Sequence, residues 1–67
     1  MISVIITICY VAAGGVQCVP VERAAAGTLA ECQAHERAIE LAVVLNLLAQ
    51  GFPFPLDSVT ADCSEGA

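Results

Sequence analysis

Residues 28–51 read TLAECQAHERAIELAVVLNLLAQG, the run with the clearest helix signals in the chain. Thr28 followed three residues later by Glu31 is a capping box, in which each side chain satisfies a backbone donor of the other at a helix start. Gly51 suits the left-handed position just past a helix end, and Pro53 and Pro55 forbid continuation. One long helix from Thr28 to Gln50 is therefore expected. Stepping about 100° per residue sorts its apolar positions into two stripes. Leu29, Cys32, Ile39 and Val43 fall on one, and Ala30, Ala34, Leu41, Leu45 and Leu48 fall nearly opposite. A helix lying on its own sheet needs a single apolar stripe. Two stripes predict burial on two sides, the first against the chain's own strands and the second against a partner protein. The alternative, a helix wrapped in its own core, asks three short strands to cover both sides.

Residues 2–12 alternate with period two. Even positions are Ile2, Val4, Ile6, Ile8 and Tyr10, an unbroken apolar face expected to meet the helix. Odd positions, Ser3, Ile5, Thr7, Cys9 and Val11, are mixed. Gly14-Gly15 supplies the positive φ of a tight hairpin turn. Val16 to about Arg23 is a second strand, which Pro20 confines to a sheet edge because it has no N–H to give. Leu56 to Cys63 is the third. The expected fold class is α+β, a single domain over residues 1–67 with a small β-β-α-β order. In it one long helix packs on a short antiparallel sheet stapled by two disulfides.

The first thirteen residues have the apolar character of a signal peptide but no positive n-region, since the first basic residue is Arg23. Their apolar run breaks at Gly14-Gly15, short of the roughly 20 residues that span a bilayer. Rich in Ile, Val and Thr, they suit a strand.

Hydrophobic residues make up 58% of a 67-residue chain, and chains of about this length bury only about 60% of the surface their unfolded form exposes. Much apolar surface is left to meet something else. Two basic residues against seven acidic ones give a net charge of −5. That balance excludes a phosphate-backbone footprint, hence nucleic acid, and a basic cluster for anionic membrane lipid. No motif points to a small-molecule substrate or a cofactor.

Cys9, Cys18, Cys32 and Cys63 allow three pairings. Cys18–Cys32 would pin the second strand to the helix start, and Cys9–Cys63 would tie the first strand to the last; this is the expected connectivity. It requires a three-residue hairpin loop, because a two-residue turn places Cys18 on the Cys9 face, away from the helix. A zinc site using Cys32 and His35 competes, without the paired C-x2-C knuckles that strong sites carry. His35 with Glu31 four residues earlier has the spacing of a base and its orienting carboxylate. No motif places a nucleophile beside them, and the expected reading is a solvated helix face made of Glu31, Gln33, His35, Glu36, Arg37 and Glu40. No catalytic, cofactor-binding or metal-ligating residue is assigned, and no enzyme activity is expected.

Ile5-Ile6-Thr7-Ile8-Cys9, Gln17-Cys18, Ala30-Glu31-Cys32 and Asp62-Cys63 together resemble short uncharacterised four-cysteine proteins of α-proteobacteria and their phages. The resemblance spans most of the chain and implies a fold and cysteine pairing, not an activity. This chain departs from it in having no tryptophan and in the apolar second half of its helix. The expected function is a non-catalytic structural protein of a larger assembly, such as a phage capsid cement or decoration protein or a tail subunit in the virion. Its partners would be copies of itself or a major structural protein, met through Ala30, Ala34, Leu41, Leu45 and Leu48. A secreted or periplasmic binding module, inhibitor or toxin is the alternative.

Overall fold

The computed structural model describes residues 2–65. Three antiparallel strands and two helices follow in the order β1 (Ile2–Ala12), β2 (Gly15–Ala25), α1 (Leu29–Ala34), α2 (Glu36–Ala49) and β3 (Leu56–Glu65). The sheet order is β2-β1-β3. The most Ile- and Val-rich strand thus takes the centre, where both sides are paired. Ile2, Val4 and Ile6 are buried with Ala61, Cys63 and Cys32, while Ile8, Leu29, Ile39 and Val43 pack around them. The even face of β1 and the first helix stripe therefore form the core as their periodicities require.

β1 and β2 close through a two-residue loop, Ala13-Gly14, because Ala12 pairs with Gly15. The positive φ falls on Gly15, at 116°. This register sets Cys9 directly opposite Cys18, with Cα atoms 4.0 Å apart, and the two are bonded. Cys32 bonds Cys63 in turn. The expected pairs Cys18–Cys32 and Cys9–Cys63 are both corrected by this arrangement. The physical reason is parity: with two loop residues, Cys18 shares the odd face with Cys9 and cannot reach a helix on the other side. Cys63, opposite Val4, lies on the helix face beneath Cys32.

The single long helix is also corrected. It is two segments that meet at His35, whose φ of −104° and ψ of 5° lie outside the helical range. In a continuous helix the His35 N–H would donate to the Glu31 carbonyl. Here it donates to the Cys32 carbonyl at 3.0 Å, and the His35 imidazole Nδ1–H donates to the Glu31 carbonyl at 2.7 Å instead. A side-chain bond has replaced a main-chain one, and the axis can turn there. The two ends match expectation. Thr28 and Glu31 form the capping box. At the far end Gly51, at φ 74°, donates to Leu48 and Phe52 donates to Leu47, the 5→2 and 6→1 bonds of a Schellman motif.

Candidate protein-interaction surface

α2 is held to the sheet by two carboxylates and by its inner side chains. The Ala61 N–H donates to Glu40 Oε2 and the Cys63 N–H to Glu36 Oε2, both at 2.9 Å. One turn of helix advances about 5.4 Å and two strand residues about 6.8 Å, so carboxylates four apart can serve alternate amides of an edge strand. These bonds lean α2 toward β3 and run it along the direction of β1, with Glu36 level with Val4 and Glu40 level with Ile6.

With that side committed, the opposite stripe of α2 faces outward. Leu41, Leu45 and Leu48 are 62%, 61% and 62% exposed, and α2 has no fully buried residue at all. Ala30 and Ala34 are exposed as well, but they belong to α1, across the break at His35. A groove of about 460 Å³ lined by Arg37, Glu40, Leu41, Val44 and Val59 extends the stripe down the β3 flank of the helix.

A second uncovered surface was not anticipated from the mixed odd positions of β1. Among the described residues, none forms a layer over the face of the sheet away from the helices. Ile5, Val11 and Val16 are 37%, 42% and 56% exposed there, and the Cys9–Cys18 bridge lies between them in the register. Glu22 and Asp62 flank Ile5 on either side, all three in one row across the sheet.

The residues weighed for chemistry are occupied otherwise. The Glu31 carboxylate accepts from the Thr28 N–H and hydroxyl, both at 3.1 Å, so it does not orient His35, which instead bonds the Glu31 carbonyl. Cys32 is bonded to Cys63, so it has no thiolate to offer a zinc ion beside His35. Among the described residues no group of three or more His, Cys, Asp or Glu side chains is gathered for a metal. No described helix is long and apolar enough to cross a membrane.

The sequence reading also missed a cluster of the chain's three aromatic residues. Tyr10 stacks on Phe54 at 5.2 Å and meets Phe52 edge-on at 5.5 Å, closing the hairpin end of the sheet under the α2–β3 connection. The signal was present: Tyr10 ends the apolar face of β1, and Phe52 and Phe54 alternate with prolines that fix their path.

No protein-family description, curated protein or solved structure matches this chain.

Proposed function

We propose that this chain is a non-catalytic structural subunit of a larger protein assembly, in contact with copies of itself or with a major structural protein. The setting we favour is a phage virion, with the chain as a capsid cement or decoration protein or a tail subunit. One observation carries the reading: three leucines stand more than half exposed on the outer stripe of a helix whose inner stripe is already packed. Burying a leucine fully stabilises by about 1.5–3 kcal/mol, so covering this stripe offers several kcal/mol that the lone chain leaves unused. The employment of Glu31, His35 and all four cysteines in holding the fold supports a non-catalytic role. Two bridges suit a component that persists outside a reducing cytosol. They would equally suit a secreted or periplasmic inhibitor or toxin, a reading that leaves the leucines unexplained.

Isolation from its native source without denaturant tests the proposal. Native mass spectrometry should find the chain within a complex far heavier than one copy, and substitution of Leu45 by Asp should release it as a folded monomer. A free monomer in that material overturns the reading.

A further inference from the structure

Building on that reading, we infer that the partner covering each exposed face is a second copy of this chain, and that copies stack head to tail. In this arrangement the outer helix stripe of one copy sits on the bare sheet face of the next. Charge decides between the possible pairings. The chain has only two basic residues. Arg23 pairs opposite Val4 on the helix side of the sheet, and Arg37 borders the leucine stripe. Arg37, Leu41, Val44, Leu45 and Leu48 follow the i, i+4, i+7, i+8, i+11 pattern of one helix stripe. Glu36 and Glu40 are bound to β3 amides, so that Glu40, although it lines the groove beside the stripe, turns its carboxylate to Ala61. The outer stripe is thus apolar with one cation at its N-terminal end. The bare sheet face is its counterpart, apolar at the hairpin end around Val11 and Val16 and anionic at the row of Glu22, Ile5 and Asp62.

The spacing matches as well. Arg37 and Leu48 are separated by about 16 Å along the helix, and Ile5 and Val11 by about 20 Å along the strand. The bonds from Glu36 and Glu40 place Arg37 between the levels of Val4 and Ile6 of its own sheet. A second copy laid on the bare face in the same orientation therefore sets its Arg37 over Glu22 and Asp62. Its Leu45 and Leu48 then lie over the Cys9–Cys18 bridge, Val11 and Val16.

Two-fold alternatives serve these charges poorly. A helix-to-helix dimer centred on the stripe sets Arg37 against the other copy's Leu48, and a sheet-to-sheet dimer covers four carboxylates with no cation. Burying an unpaired charge is costly. A contact between two different faces that advances with little rotation does not close, so it builds an open stack. A standard interface takes about 800 Å² from each partner, about a sixth of the 4536 Å² of this chain, which leaves room for both faces.

Two variants test the stack by complementation, with circular dichroism to establish folding: Leu45→Asp blocks the helix face and Val11→Asp blocks the sheet face. Sedimentation of the purified wild type should show a concentration-dependent series of oligomers. Each variant alone should lose self-association by about tenfold or more. Their equimolar mixture should form a one-to-one dimer and stop there, because each remaining free face is blocked. If Val11→Asp fails to fold, Arg37→Glu mixed with Glu22→Arg/Asp62→Arg decides the matter: each should dissociate alone and pair on mixing. Association lost in only one of the two variants overturns the stack in favour of a two-fold dimer and leaves the assembly reading standing. A purified wild type that stays monomeric overturns the stack alone, since the assembly reading rests on the native-source complex.

Discussion

The two edges of this sheet are finished in opposite ways. At β3 the outward amides of Ala61 and Cys63 are taken by Glu40 and Glu36, and the Cys32–Cys63 bridge ties the strand to α1. At β2 the eleven residues of the rim are mostly exposed, Val21 and Ala25 alone packing on the core among the described residues. Because Ala61 and Cys63 turn their N–H groups away from β1, alternation across the ladder turns the outer positions of Cys18, Pro20 and Glu22 away from it too. Pro20 falls at the middle of that rim and removes one donor from it. One edge is closed by a helix and the other only interrupted by a ring. An unfinished edge is a template for further pairing, so the contrast locates where this molecule resists added strands and where it tolerates them.

The two disulfides divide along the same line, and removing them has the largest expected effect. Cys32–Cys63 spans 31 residues and joins helix to closed edge, whereas Cys9–Cys18 spans 9 within a hairpin whose ends already meet. Chain-entropy reasoning assigns the first about 3–4 kcal/mol and the second about 2–3 kcal/mol. A core of six buried residues, two of them half of these bridges, has little margin. Cys32→Ala/Cys63→Ala should leave the chain largely unfolded at room temperature in a urea titration followed by circular dichroism. Cys9→Ala/Cys18→Ala should stay folded with a lowered midpoint. Equal midpoints for the two double variants would erase the distinction between the edges.

That pairing was the part of the fold least open to reading from residues alone. The strand over 2–12 declared its buried face through Ile2, Val4 and Ile6, and Thr28, Glu31 and Gly51 marked helix ends by chemistry that acts within a few residues. The cysteines depended on a single loop residue: two at the hairpin put Cys18 against Cys9, three would have turned it to the helix. The break at His35 has no proline or glycine to announce it, because it comes from an imidazole reaching its own helix carbonyl. Glu36 and Glu40 read as a solvated face, since their function appears only when a strand arrives from more than 20 residues away. Of the candidate interaction surface, Leu41, Leu45 and Leu48 were legible from periodicity. The bare sheet face was not, because the apolar residues of its two hairpin strands become one patch only in register.

A smaller effect is expected from reopening the closed edge. Glu40→Ala leaves the Ala61 N–H without its acceptor in a half-buried place, and a hydrogen bond to a charged group is worth about 1.5–3 kcal/mol. Stability should fall by roughly 1–2 kcal/mol once water partly replaces the carboxylate. Amide exchange resolves this residue by residue. In the wild type the Ala61 and Cys63 amides should exchange much more slowly than those of Cys18 and Glu22 on the open rim. Glu40→Ala should bring Ala61 to the rate of the rim while Cys63 keeps its protection through Glu36. Fast exchange at Ala61 in the wild type would mean that the carboxylate does not guard the edge.

The smallest change in stability, and the sharpest probe of the open edge, is Pro20→Val. Pro20 pairs with Thr7 at a position whose N faces outward, so valine adds an N–H without asking anything of the existing ladder. Strand propensity favours valine, while the lost rigidity of proline in the unfolded chain opposes it. The two are of similar size, and the unfolding free energy should change by no more than about 0.5 kcal/mol. What changes is the rim, which gains a continuous row of donors from Val16 to Ala24. Edge-to-edge pairing through β2 should then appear as a second mode of association that Leu45→Asp and Val11→Asp do not abolish. In the background of either variant, sedimentation should find Pro20→Val self-associated where the parent is monomeric. If it remains monomeric there, the rim is protected by something other than its proline, and the two edges are less different than their hydrogen bonds make them.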